Sequence, residues 1–464
     1  MGSNNLMRNK RLLQFAIWLW LAALPLPALG QSIVKQGTPV RHGNASWTET
    51  YEWTAPAREG GKLILRADMG SVEITPGAGN QLEGRVVVRA YTGSEEKARR
   101  VFDAYHLSAR SIEGGGVYVS GELSGSGHHD HSAGAEFDIK LPARFNLDVE
   151  TQGGDIGVEG ALQGEARLTT AGGDIHTTDI SGPIRVETAG GGISLGNLGA
   201  RAEARTAGGS IHVGNVRGDA TIETSGGEIQ VGQVDGTLRA ETAGGDVVIA
   251  GAAGEVLAQT AGGQIQVGPT GGSVRAETAG GSIRLQGARG RVVAETAGGS
   301  IDLLQLEAGV RASTSAGRIL AEFDASAKTF AASQLETSMG DVYVYLPVGL
   351  PLTIDAAIDA AAGHHIVTDF PLSILGDKED FGERTIRGHG TLNGGGEVLR
   401  IRSVAGNIEI RKLDSRSLED LKSREETSWN RWQERQAEKN QQQREREKER
   451  RERQREKEED RDQD

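Results

Sequence analysis

Carboxylate side chains recur at a regular spacing through the middle of this 464-residue chain. The five residues fall 18 or 36 positions apart (241 − 223 and 223 − 187): Glu187, Glu223, Glu241, Glu277 and Glu295. Arg205 and Gln259 fill the gaps in this series, and arginines stand two residues before three of the glutamates, at Arg185, Arg239 and Arg275. Neighbouring carboxylates can cleave sugars as an acid and base pair, or can bind calcium. We expect a solvated ladder with charge compensation and no catalysis; a polymer-binding or calcium-binding face is the alternative.

A histidine-rich segment, SGHHDHSAG, offers a second kind of chemistry. Its side chains could ligate zinc or copper if the loop folded around an ion: His128, His129, Asp130 and His131. The segment is rich in Gly and Ser, so an exposed turn without an ion is the preferred interpretation, and His364 with His365 is a weaker pair. No phosphate-loop or HExxH motif is present. We therefore predict no catalytic, cofactor-binding or metal-binding residue.

Aromatic residues are absent from residues 151–322. Most sugar-binding sites stack the sugar on an aromatic ring, so this stretch lacks the usual platform. A carbohydrate-active enzyme would have to use the aromatic residues in the flanks, such as Trp47, Trp53 or Tyr343. This enzyme is the alternative to a binding protein.

These side chains belong to a repeat with a fixed period. ETAGGSI occurs at residues 277–283 and again at 295–301, and the motif threonines lie 18 residues apart (188 − 170, 314 − 296) after one interval of 19 (170 − 151). They are Thr151, Thr170, Thr188, Thr206, Thr224, Thr242, Thr260, Thr278, Thr296 and Thr314. A period this short is typical of a solenoid with one coil per repeat.

The rest of each repeat alternates apolar and polar residues, which predicts short strands with one buried face. Aliphatic residues stand five and seven positions after the threonine, and four positions before it in most repeats; a third, shorter side carries Leu198, Val216 and Val234. The sequence thus predicts an all-β, single-stranded β-solenoid with three sides. The strict six-residue pattern of left-handed helices is missing, which favours a right-handed coil, but the spacing alone does not determine the handedness. We expect the two glycines to supply corner backbone angles, and each threonine to bond its counterpart in the next coil.

The repeated TAGG motif resembles the bacterial putative-adhesin domain family of envelope β-solenoids. LILRADMGSVEITPG at residues 63–77 is similar to the first coil of that family, and TDFPLSI with GGGEVLRIRSVAGNIEI is similar to its closing segment. The resemblance covers about residues 60–411. It implies a fold and an envelope location, but no catalytic or binding residues that could be transferred.

The N-terminus has the features of an export signal. Arg8, Lys10 and Arg11 precede an apolar run at residues 12–24, and Ala28 and Gly30 fit a cleavage site before Gln31. A retained membrane anchor is the alternative. Removing residues 1–30 would change the net charge from −13 to −16 (−13 − 3), which disfavours nucleic acid as a partner. The chain has no cysteine, so no disulfide can stabilise it. We predict an exported protein of the periplasm, cell envelope or extracellular space.

Composition divides the chain into five predicted segments. Residues 1–30 are the signal peptide, 31–150 an N-terminal β-region with a helix at 95–105, 151–322 the regular coils, 323–413 irregular coils with a cap, and 414–464 a charged tail. The tail is predicted to be helical or disordered and solvated; Trp429 and Trp432 could anchor a protein partner on it.

The favoured function is that of a non-enzymatic, adhesin-like or scaffold protein whose solenoid face binds an envelope polymer or surface protein. Besides the carbohydrate-active enzyme, the sequence leaves open a solenoid that assembles end to end through its coil edges.

Overall fold

A computed structural model describes residues 33–43, 45–124, 133–361, 363–376 and 385–413. The predicted signal peptide, the histidines at 128–131 and the tail with Trp429 and Trp432 lie outside the described residues.

The N-terminal region contains one α-helix among eight strands, and Ser94 caps the helix by accepting a hydrogen bond from the Lys97 amide (3.4 Å). The elements are β1 (Val34–His42), β2 (Ser46–Pro56), β3 (Lys62–Ala67), β4 (Ser71–Gly77), β5 (Gln81–Ala90), α1 (Glu95–Ala104), β6 (Tyr105–Ile112), a 3₁₀ turn (Glu113–Gly115), β7 (Gly116–Leu123) and β8 (Ala133–Pro142).

The repeats form two alternating kinds of strand. Strands that lead into the motif threonine are β9 (Asn146–Thr151), β11 (Ala166–Thr170), β13 (Ile184–Thr188), β15 (Ala202–Thr206), β17 (Ala220–Thr224), β19 (Leu238–Glu241), β21 (Val256–Thr260), β23 (Val274–Thr278), β25 (Val292–Thr296) and β27 (Val310–Ala316). Strands that begin after the motif are β10 (Ile156–Val158), β12 (Ile175–Thr177), β14 (Ile193–Leu195), β16 (Ile211–Val213), β18 (Ile229–Val234), β20 (Val247–Ala252), β22 (Ile265–Val267), β24 (Ile283–Leu285), β26 (Ile301–Leu306) and β28 (Ile319–Phe323).

The C-terminal region continues the stack with eight further strands. They are β29 (Ser333–Met339), β30 (Val342–Leu346), β31 (Leu352–Ile358), β32 (Ile366–Thr368), β33 (Ser373–Gly376), β34 (Ile386–Leu392), β35 (Val398–Ala405) and β36 (Ile408–Lys412).

Every repeat pairs in parallel with the next at the same register. Thr260 lies opposite Thr278, for example, and Ile265 lies opposite Ile283. A third side is formed by a row of parallel bridges whose members are again 18 residues apart, such as Leu198 with Val216. The aliphatic rows pack against one another and form a continuous buried core. The predicted three-sided β-solenoid is therefore confirmed, while its handedness stays a prediction.

Both ends of the solenoid contain a coil that is out of sequence order. The coil of β3 and β4 lies between the coil of β7 and β8 and that of β9 and β10, with parallel pairing on both sides. The last coil, β35 and β36, lies in the same way between β29 and β30 on one side and β31 and β32 on the other. The last segment of the described chain is thus held inside the stack, as is the coil of β3 and β4 near the N-terminal end.

Charged groups fasten the inserted N-terminal coil. The Arg66 guanidinium donates to a carboxylate oxygen of Asp148 (2.7 Å), and the Lys62 ammonium lies 2.8 Å from the other oxygen. Burial by itself would raise the pKa of Asp148, but the hydrogen bonds from Lys62 and Arg66 outweigh it and lower that pKa. The inserted coil is therefore ion-paired to β9 as well as hydrogen-bonded to it.

The motif threonines form a ladder with the second glycine of each repeat. Thr260 Oγ1 donates to the Gly245 carbonyl of the preceding coil (2.8 Å) and accepts from the Gly263 amide of its own coil (3.2 Å). The same donation to a glycine carbonyl occurs for each motif threonine from Thr170 to Thr314. The predicted threonine-to-threonine bond is wrong, since the glycine backbone offers each hydroxyl a partner at the corner.

The distance between stacked coils, not the backbone angle, explains why the second motif position is glycine. Within the 18-residue repeats the motif glycines are absent from the residues with positive φ, so the predicted conformational reason is wrong there. A Cβ built on Gly281 would lie 1.9 Å from the Gly263 carbonyl oxygen, whereas one on Gly280 would have no neighbour closer than 3.4 Å. The later coils show the same difference between the two positions. The first motif glycine is replaced there by Ala316 or Ala405, while the second remains glycine.

This difference predicts the effect of two adjacent substitutions. Gly281→Ala should lower the free energy of unfolding by about 1–3 kcal/mol or more, because its methyl group collides with rigid backbone. Gly280→Ala, the matched control, should change it little. Urea titration monitored by circular dichroism measures both; equal losses would show that corner conformation matters more than stacking.

A second pair of variants tests the threonine ladder. Thr260→Val removes a donor and an acceptor from a buried corner, so the free energy of unfolding should fall by about 1–3 kcal/mol. Thr260→Ser keeps the hydroxyl and should lose about 0.8 kcal/mol or less, the contribution of one methyl group. Hydrogen exchange at the Gly263 amide should accelerate only in the valine variant. Identical exchange in both variants would contradict the proposed role of the hydroxyl.

Candidate binding groove

The residue before each motif threonine points out of the solenoid. Parallel pairing places these residues in one row: Glu187, Arg205, Glu223, Glu241, Gln259, Glu277 and Glu295. Neighbouring coils in a parallel stack are about 4.8 Å apart, so like charges in this row would repel one another. The row therefore needs charges of opposite sign in or beside it.

Arginines supply that compensation. Arg239 lies 2.6 Å from Glu241, Arg275 pairs with Glu277, and Arg185 lies 3.8 Å from Glu187, as their spacing indicated. Arg205, which interrupts the glutamates in the sequence, lies between Glu203 (3.0 Å) and Glu223 (3.1 Å) and joins two coils.

Sequence reasoning missed two members of this network, Glu203 and Arg311. Glu203 accepts from Arg185 (2.7 Å), and Arg311 lies 3.5 Å from Glu295. Both stand three residues before a motif threonine, in the row that already held Arg185, Arg239 and Arg275, so the repeat alignment itself carried the signal. Glutamates and arginines therefore lie beside one another along this face.

A shallow groove runs along this charged row. Its floor is the line of motif threonines, one wall is the charged row, and the other is the line of corner residues such as Ala189, Ala207 and Ser225. One stretch, of about 600 Å³, extends from Glu187 to Gln259, and a second, of about 730 Å³, continues from Thr242 to Ser315. The two stretches share Thr242, Ala243 and Gln259, so they form one groove. We call it the corner groove.

The aromatic residues of the flanks do not form a common site. Trp53 is only 2% exposed and fills space beside Gly84 in the N-terminal core. Trp47 is partly buried next to Arg41, whereas Tyr343 lies on β30 near the opposite end of the stack and donates to Asp341 (3.2 Å). No sugar-stacking platform results from these three residues.

Among the described residues, one group of potential metal ligands lies close together, and it includes neither His364 nor His365. The group is Glu73, Glu159 and His176, which no sequence motif marked. The inserted coil brings Glu73 beside the repeats, so sequence spacing could not reveal it.

In the part of the chain that the structure describes, no helix has the length and apolar character needed to cross a membrane.

Comparison with known proteins finds a family match over part of the repeats. The Toastrack DUF4097 family model matches residues 132–268, from the start of β8 to the end of β22. This match covers less than half of the chain. The indicated resemblance to the bacterial putative-adhesin domain family is thereby confirmed. No curated protein sequence matches the chain.

Two solved structures are similar to this chain at low identity. A putative adhesin from Bacteroides fragilis is 12% identical, with 52% of this chain and 95% of that chain covered and a TM-score of 0.26. A putative cell adhesion protein from Clostridium sporogenes is 9% identical, with 78% and 99% covered and a TM-score of 0.14. At these TM-scores neither one informs the function of this protein.

The ion pairs of the corner groove should contribute little to stability. Arg205→Gln and Glu223→Gln should each change the free energy of unfolding by less than about 1 kcal/mol, because exposed pairs are screened by water. Urea titration at low and at moderate salt measures this change. A loss above about 2 kcal/mol would show that the charges are needed to hold the coils together.

Proposed function

We propose that this protein is a non-enzymatic, exported component of the cell envelope that binds an extended polar polymer along the corner groove. One observation carries the proposal: the groove keeps the same threonine floor and polar wall over consecutive coils. From Glu187 to Ser313 there are seven intervals, (313 − 187)/18, which corresponds to a length of about 34 Å. A straight, periodic groove of this length suits a periodic ligand better than a compact one.

The chemistry of the groove favours binding over catalysis. Acid and base catalysis needs two carboxylates with different environments, and here each acidic position is repeated with nearly the same surroundings. The arginines hold the glutamates in ion pairs, and the groove is shallow and open to water. A polymer that carries hydroxyl or amide groups could exchange hydrogen bonds with the Glu, Arg and Gln side chains along the wall.

The proposal of export rests on the signal-like residues 1–30, and an exported protein would meet ligands of the cell envelope. The acidic net charge of −13 argues against nucleic acid as the ligand. The tail offers a second candidate contact, a protein partner at Trp429 and Trp432. A carbohydrate-active enzyme and an end-to-end assembly are less favoured, because Trp53 is buried and both ends of the stack carry antiparallel capping strands.

Binding to isolated envelope fractions and to a polysaccharide array tests the proposal. The protein from Gln31 to Asp464 should bind, and the double variant Arg205→Gln/Glu223→Gln should lose most of that binding. The double variant Arg284→Gln/Asp302→Asn is the control, because it also removes one charge of each sign, from a pair (3.5 Å) on the short-strand side. The control should bind like the unchanged protein.

Removal of residues 414–464 separates the two candidate surfaces. Binding that survives this truncation but not the groove variant supports the corner groove. Binding that is lost with the tail and kept in the groove variant places recognition at the tail and overturns the proposal, as does the absence of binding to every fraction.

A further inference from the structure

Three side chains from three stacked coils meet near the N-terminal end of the solenoid. Glu73 lies on β4, in the inserted coil, and His176 lies on β12, two coils away. Gly157 on β10 is the register partner of both, and Glu159 follows directly after β10. All three side chains reach the same point on the outer face of the short-strand sheet.

Their spacing is longer than that of hydrogen-bonded groups and close to that of ligands around a metal ion. His176 Nε2 lies 3.8 Å from Glu73 Oε2 and 4.0 Å from Glu159 Oε1. All three potential ligand atoms lie within 4.8 Å of one another. Tetrahedral zinc, with bonds of about 2.0–2.2 Å, separates its ligands by roughly 3.3–3.6 Å. Small side-chain rotations would therefore bring the three groups into its coordination sphere.

Gly157 makes this meeting possible. A Cβ at this position would lie 2.1 Å from Glu73 Oε2 and 2.6 Å from His176 Nε2, so any side chain here would hold the two apart. Other coils carry a side chain in this outward row, for example Ser194 on β14. The glycine leaves a gap in that row, and Glu73 and His176 fill it from either side.

The charges around the gap favour a cation. Glu73 lies close to two further carboxylates, Glu159 and Asp138, and to the imidazole of His176. Asp138 is the register neighbour of Glu73 on β8, so Glu73 lies between Asp138 on one side and Glu159 with His176 on the other. Glu73 Oε1 is buried and has no hydrogen-bond partner among the described residues. A bound dication would offset both the crowding of negative charge and the unsatisfied oxygen.

We propose that Glu73, Glu159 and His176 form a binding site for a divalent transition metal, with zinc as the best fit. Calcium and magnesium prefer oxygen ligands alone, and the imidazole favours zinc or its transition-metal neighbours. Three protein ligands leave a fourth position for water. Because the ligands come from three coils, the ion clamps the inserted coil onto the first repeats.

Titration of zinc into the chelator-treated protein tests the site, with calorimetry for affinity and thermal unfolding for stabilisation. The unchanged protein should bind one zinc ion here and melt at a higher temperature in its presence. His176→Gln should weaken binding at least tenfold, since loss of even a second-shell partner typically costs about 10–100-fold. Gly157→Ser should also weaken it while the protein stays folded, because Ser194 is tolerated at the equivalent position of β14.

Two controls locate the binding. His212→Gln changes a histidine in the same outward row, two coils beyond His176, and should leave zinc affinity unchanged. Replacing His128, His129 and His131 by glutamine should also leave it unchanged. Zinc binding that survives His176→Gln, or that disappears with the triple variant, would overturn the assignment, as would failure of the unchanged protein to bind zinc.

Discussion

The close approach of successive coils at the glycine corner is the constraint on which the rest of the structure depends. The carbonyl oxygen of one corner glycine lies where the next would place a side chain, so the second glycine of the motif cannot be replaced without separating the coils. The column continues from Gly70 through the repeats to Gly406, and so includes both inserted coils. At this corner the threonine hydroxyls hydrogen-bond to the glycine backbone from coil to coil, because water cannot act as the partner of these buried backbone groups. A constant coil height follows.

A constant height also determines what the surface can present. Residues at equal positions in successive coils must stack directly on one another, so an acidic row repels itself unless cations interrupt or flank it. Arg205, Arg239 and Arg275 supply these cations. The corner is low because its glycines have no side chain, and this leaves the corner groove beside the arginines. The result is a face that is polar yet nearly neutral, which suits recognition through many weak hydrogen bonds and is poorly suited to an activated catalytic carboxylate.

The periodicity made the coils predictable from the sequence. The order in which the coils stack could not be predicted, because it depends on contacts between residues far apart in the chain. The rows of Ile283 and Leu285, the three sides and the Arg–Glu pairs all follow from aligning the repeats. The position of the coil of β3 and β4 does not, because its contacts, such as Arg66 with Asp148, join residues 82 apart. For the same reason Glu73 could not be placed beside His176. The role of the second glycine was misassigned because a sequence shows which residue stands at a corner, but not how close the next coil lies.

The inserted coils affect how the solenoid closes at its ends. A stack of sequential coils can lose its outermost coil simply by fraying from a chain end, since each coil contacts only its neighbours. Here β35 and β36 lie inside the stack, and Leu413 donates its amide to the Leu346 carbonyl (2.8 Å). The coil of β31 and β32 pairs with β35 and β36, so it cannot dock until they have docked. This end therefore depends on contacts between residues distant in sequence, which form slowly. Such contacts cannot be released one residue at a time from the chain end. Both ends therefore protect a regular middle whose own coil edges would otherwise be exposed to pairing with other chains.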